Sequence, residues 1–115
     1  MATVRSRALK DRRSDSRIIA RLNCRFEIMG AAYDAVLVDV SQRGALISSR
    51  FLPPNGAAIS ICIKSRYLDK ELSLKGTVLR GSQVTTDHGK MGRFVVHFAG
   101  APLDLLLLIS KLHTA

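Results

Sequence analysis

RLNCRFEIMG, residues 21–30, sets how the rest of the chain is read. Leu22, Cys24, Phe26 and Ile28 alternate with Asn23, Arg25 and Glu27, and the run stops at Gly30 and the two alanines after it. Successive side chains of a strand point to opposite faces. An apolar residue at every second position therefore describes a strand with one face on a core and the other in water.

The same pattern recurs on the carboxyl side. AYDAVLVDVS (32–41) reads as a second strand and GALISSR (44–50) as a third, with Gly44 near their junction. LPPNG (52–56) is a turn, because proline fixes φ and glycine tolerates φ > 0. AISICIK (58–64) follows with Ile59, Ile61 and Ile63 in phase, then SRYLDKE (65–71) as a polar loop. ELSLKGTVLR (71–80) is a fifth strand in which Gly76 suggests a bulge or bend. GSQVTTDHGKMG (81–92) reads as the longest loop, and RFVVHFAG (93–100) as a sixth strand with Phe94, Val96 and Phe98 in phase.

In APLDLLLLISKLH (101–113) the period changes to that of a helix. Pro102 suits the first turn and Asp104 complements the helix dipole there. Leu105, Leu108, Ile109 and Leu112 form one face, which Leu103, Leu106 and Leu107 widen. A helix apolar almost all round can close a core with one side and meet a second copy or a partner protein with the other. Six short strands with glycine-rich turns, and no long helix between them, predict a mainly β domain, a barrel or a sandwich.

The chain has 115 residues, the length of one domain. Lysine and arginine number 18 against nine acidic residues, a net charge of +9. Eight of those cations, but only two of the acids, fall within residues 1–25. A basic amino-terminal segment on a nearly balanced body points to an anionic partner. Residues 1–10, with Arg5 and Arg7, read as a flexible basic tail. Cys24 and Cys62 have no CxxC spacing and no neighbouring histidine, so both read as free thiols in a reducing compartment, without a zinc site. The amino terminus lacks the apolar stretch of a secretory signal, and the leucine-rich carboxyl segment is too short to span a bilayer, which places the chain in the cytoplasm.

Two short motifs carry chemistry. DRRSDSR (11–17) frames Arg13 and Arg17 as RxxxR, with Arg12 directly before it. A guanidinium grips a phosphate or the O6/N7 edge of guanine with two parallel bonds and stacks on a base, so clustered arginines suit a ligand that combines phosphates with guanines. The alternative is a charged linker. DVSQRG (39–44) puts Asp39 and Ser41 two apart on a strand, with Gly44 able to turn the backbone or approach a ligand closely. A carboxylate there can accept from guanine N1 and N2. The alternative is a strand end closed by a side-chain-bonded turn.

In this order and spacing, ahead of six strands and a terminal helix, the two motifs resemble the PilZ domain family. The resemblance covers residues 11–115 and includes the GTVLRG and GRFVVHF runs. It implies an all-β fold: a six-stranded antiparallel barrel with a carboxyl-terminal helix and a flexible amino-terminal switch loop. It also implies a cytoplasmic receptor for the bacterial second messenger cyclic di-GMP, with no other cofactor. Arg13 and Arg17 would hold phosphates and guanine edges, Asp39 and Ser41 a guanine, and Gly44 would shape the turn. Arg12, by stacking a second guanine, would favour an intercalated pair of ligands. Where many relatives carry an aromatic residue near the end of the GxVxx strand, this chain has Arg80. Arg80 and Arg43 are the weaker ligand candidates, each weighed against an ordinary surface position.

Nothing points to catalysis. His88, His97 and His113 have neither metal-ligand spacing nor a nucleophile beside them, and Ser41 lies in no GxSxG elbow. The partners implied are cyclic di-GMP, a downstream protein, and a second copy meeting the terminal helix. Two rival readings are a PilZ-fold adaptor that binds protein without a ligand, and a small basic barrel that binds single-stranded nucleic acid. Intact motifs argue against the first. Aromatic content of 5%, with Phe26, Phe94 and Phe98 on the inward phase, argues against the second.

Overall fold

The computed structural model describes residues 17–114. Arg12, Arg13 and the predicted tail and switch loop ahead of Arg17 lie outside the described residues. Six strands and one helix follow: β1 (Ile18–Ile28), β2 (Ala31–Val40), β3 (Gly44–Ser49), β4 (Ala58–Ile63), β5 (Leu72–Thr86), β6 (Gly89–Phe98) and α1 (Leu103–Thr114). All neighbours pair antiparallel in the order β1–β2–β3–β6–β5–β4, and β4 pairs back onto β1, so the sheet is a closed ring. Within the ring each described strand has a neighbour on both sides, and from Leu79 to Thr86 β5 runs on past β4 and pairs with β6 alone.

The alternation read from the sequence is what fills the ring. Phe26 on β1, Leu37 on β2, Ile47 on β3, Ile61 on β4, Val78 on β5 and Phe94 on β6 are each 1% exposed or less. Phe26 and Phe94 meet edge to face at 5.4 Å. Leu105 and Leu108 of α1 are fully buried and belong to the same core, so the helix plugs the ring with one side. Its other side leaves Leu103, Leu106 and Leu107 at 70%, 38% and 45% exposure. Cys24 is buried, and burial pushes its thiol up to about 12. Cys62 is half-exposed on the outer wall, 3.7 Å from Ser73 Oγ, and both thiols are free.

Two expectations about β5 need correction. The stretch 81–92 is not a long loop. β5 runs on to Thr86 and β6 begins at Gly89, leaving only Asp87 and His88 as the turn. Thr86 Oγ1 accepts from the His88 N–H and donates to the Gly89 carbonyl, and Gly89 takes φ 95°. The glycines that imitated a loop lie in the strands because Leu52 packs flat on them: a Cβ at Gly81 would lie 2.7 Å from Leu52 Cδ1, and one at Gly92 2.9 Å from Leu52 Cβ. Nor is Gly76 the bulge. A Cβ there would meet the His97 carbonyl at 2.3 Å, so glycine is needed for close strand approach. The bulge falls at Leu79, where the register slips between Val78 and Arg80.

Candidate functional site

The register of β1 on β2 builds the site. Ile18 lies opposite Val40 and Ile19 opposite Asp39, which brings the residue ahead of β1 to the end of β2. There Arg17 Nη1 donates to Asp39 Oδ1 at 2.8 Å. The side chains are 39% and 20% exposed, so a paired guanidinium and carboxylate stand at the surface, open to solvent.

Beyond this pair the register slips twice. Ala20 and Arg21 of β1 face Val38 alone, and Val38 is again the extra residue where β2 meets β3. Arg21 takes φ 49°, in the left-handed region. These bulges bend the end of β2 and fix which residues reach the outer wall.

From Asp39 a single row of register partners crosses the ring: Ile19, Asp39, Leu46, Val95 and Arg80. Directly opposite residues share a face. All five are at least partly exposed, whereas the next row, Val40, Ala45, Val96 and Val78, is fully buried. Asp39 and Arg80 thus stand on one outer wall, separated by Leu46 and Val95. Three strand spacings put them about 14 Å apart along the row. An acceptor and a fixed cation at the ends of a low apolar strip can hold a flat, polar-edged molecule against the wall.

Ser41 and Gly44 make the turn that carries Asp39. Ser41 is 2% exposed. Its Oγ accepts from the Arg43 and Gly44 N–H groups at 3.2 and 3.3 Å and donates to the Gly44 carbonyl. Its own N–H donates to that same carbonyl at 2.8 Å. Gly44 sits opposite His97, and a Cβ there would meet the Val96 carbonyl at 2.2 Å. The close approach at Gly44 is therefore to the β6 backbone. Arg43 is exposed in the turn, and its carbonyl accepts from the Phe98 N–H. Arg80 is exposed in mid-strand, one residue past the Leu79 bulge, and not near a strand end as its sequence context suggested.

The sequence reading did not select Leu46 or Val95. The signal was present: each is an aliphatic residue on the outward phase of its strand, where the other strands mostly carry polar residues. Among the described residues no three of His, Cys, Asp and Glu come together to hold a metal, and no helix is long and apolar enough to cross a membrane.

Fold and site define a small, mainly β domain with a charged site on the outer wall of a closed strand ring. The chain belongs to the PilZ domain family, whose model matches residues 11–112. Among solved structures, the PilZ domain with c-di-GMP of YcgR from Escherichia coli is similar at 15% identity and a TM-score of 0.71, over 90% of this chain and 92% of that one. The K. pneumonia MrkH–c-di-GMP complex is similar at 19% identity and a TM-score of 0.66, over 90% of this chain and 50% of that one. The Bacillus subtilis inhibitor of motility MotI/DgrA is similar at 12% identity and a TM-score of 0.65, over 90% of this chain and 52% of that one. At these identities the likeness establishes the fold. The chain spans about half the length of the latter two. No curated protein sequence matches it.

Proposed function

We propose that the protein is a cyclic di-GMP receptor that works by binding rather than catalysis. The observation that carries this reading is the meeting of Arg17 and Asp39, 22 positions apart, one from each motif. One ligand class needs both groups: phosphates for the guanidinium and a guanine N1/N2 edge for the carboxylate. The low Leu46–Val95 strip beside them suits the flat face of a base. Arg13 joins Arg17 on the phosphates, and Arg12 stacks a second guanine when two ligands bind as an intercalated pair. Ser41 supports the Asp39 end and contributes to the guanine site, and Gly44 sets the turn. Arg80 and Arg43 supply the outlying cations.

The doubly charged ligand draws the arginines of residues 11–17 together over the outer wall and orders that segment. The surface so made is the signal to a partner protein. Such an output requires that the ligand favour the ordered state over the other.

Calorimetric titration with cyclic di-GMP tests the reading, with GTP and a short single-stranded DNA as controls. Saturable heat with cyclic di-GMP alone supports it, and a stoichiometry of two rather than one supports the role of Arg12. Absence of heat with cyclic di-GMP overturns it in favour of a protein-binding adaptor, or of a nucleic-acid-binding domain when the DNA control responds.

A further inference from the structure

A second charged feature lies on the far side of the β1 bulge. Ala20 and Leu22 of β1 and Leu112 of α1 form the half-buried floor of a recess of about 440 Å³. Its rim carries three exposed cations: Arg21 from the bulge, and Lys64 and Arg66 from the connection between β4 and β5. Among the described residues no Asp or Glu lines it. The connection is braced: Ser65 Oγ accepts from the Tyr67 N–H, and the Ser65 carbonyl accepts from the Leu68 N–H. Arg21 holds its place with φ 49°, a conformation that glycine or asparagine adopts more cheaply than arginine. The bulge thus presents a cation at a backbone cost.

We propose that this recess docks an acidic segment of a partner protein that carries apolar residues for its floor. The argument is complementarity, an apolar floor ringed by cations with no acidic side chain among the described lining residues. A second copy of this chain is a poor occupant, because it would set basic rim against basic rim on molecules of net charge +9. A flat anionic membrane cannot reach a concave floor. Single-stranded nucleic acid needs an open aromatic face, and the one ring here, Tyr67, is covered by the Arg66 guanidinium 5.3 Å from its centroid.

The recess also has a physical link to the ligand site. Arg17 lies just ahead of the strand whose bulge holds Arg21, and Val38, the residue opposite that bulge, precedes Asp39. A ligand that breaks the Arg17–Asp39 pair therefore acts one bulge away from the recess. This coupling rests on the receptor reading; the docking itself does not.

The test is nuclear magnetic resonance titration of the full chain with a synthetic peptide that places Glu and Leu at helical spacing. Controls are the same peptide with Lys for Glu, a single-stranded oligonucleotide and phosphatidylglycerol vesicles. Saturable shifts confined to Arg21, residues 64–67 and Leu112 are expected with the Glu peptide alone. The Lys64→Glu, Arg66→Glu double variant should keep its remaining amide spectrum and lose about tenfold or more in affinity. Shifts on another face, equal affinity in the double variant, tighter binding of oligonucleotide or vesicles at the same residues, or a dimer abolished by those substitutions would each overturn the proposal. Repeating the titration with cyclic di-GMP separates the two readings. Unchanged peptide affinity with ligand bound removes the coupling, and peptide binding by a chain that ignores cyclic di-GMP leaves the recess standing while the receptor reading falls.

Discussion

Arg17 and Asp39 neutralise each other across the first strand pair, with 2.8 Å between Nη1 and Oδ1. In the receptor reading these two groups take different parts of one ligand. Binding then replaces a contact rather than filling an empty site. The exchange is favourable because a partly exposed ion pair is worth only about 0–1 kcal/mol, whereas each charge-assisted bond to a ligand is worth about 1.5–3 kcal/mol.

The first prediction follows from that difference. Arg17→Ala should weaken cyclic di-GMP binding by about 1.5–3 kcal/mol while shifting unfolding free energy by about 1 kcal/mol or less. Calorimetry and urea unfolding on the same samples separate the two. Large destabilisation with unchanged ligand affinity would make Arg17 a structural residue.

Asp39→Asn distinguishes a ligand contact from mere pairing with Arg17. The amide keeps one acceptor oxygen and loses the charge, so it accepts poorly from both N–H groups of a guanine edge. Affinity should fall, and Arg17→Ala combined with Asp39→Asn should lose more than Arg17→Ala alone. A double variant no weaker than Arg17→Ala would mean that Asp39 acts only through Arg17.

The turn makes a prediction of opposite character. Gly44→Ala sets a methyl 2.2 Å from the Val96 carbonyl, a backbone atom held by strand pairing. β3 must shift away from β6, at a cost of about 1–3 kcal/mol or more. Ser41→Ala removes the acceptor of two N–H groups and should cost about 1–3 kcal/mol. Gly44→Ala should lower Tm before it lowers affinity in samples that remain folded, whereas Ser41→Ala should lower both. A Gly44→Ala chain of unchanged Tm that no longer binds cyclic di-GMP would place Gly44 against the ligand instead.

Much of this architecture was legible because one face of each strand is buried. Phe26, Ile61 and Phe94 could be assigned inward from alternation alone, and Leu105 and Leu108 from the helical period. The outer half of the β5–β6 hairpin was not legible. From Gly81 to Thr86 most residues are exposed, so neither face carries an apolar rhythm, and glycines kept small for Leu52 look like loop glycines. The site was legible as two motifs but not as a surface. That Asp39 shares a row with Leu46, Val95 and Arg80 depends on bulges at Val38 and Leu79, each of which shifts the register by one residue. A slip of that size has no sequence signature beyond the residues themselves.

The two thiols give a final prediction that tests the inside–outside assignment independently of any ligand. Cys62 is half-exposed on the outer wall, while Cys24 is 6% exposed and its thiol is raised to about 12 by burial. In the native chain a disulfide reagent such as Ellman's should titrate one thiol quickly, and the second only on unfolding, because the thiolate is the reactive form. Cys62→Ser should abolish the fast phase and Cys24→Ala should leave it. The same burial sets a pH dependence. With the folded pKa above the unfolded one, neutral Cys24 contributes its full stability below about pH 9 and loses it as pH climbs toward 12. Unfolding free energy should therefore fall more steeply across that window in the native sequence than in Cys24→Ala. Equal slopes, or two fast thiols at neutral pH, would place Cys24 outside the closed core and would break the register of β1 on β2 and β4.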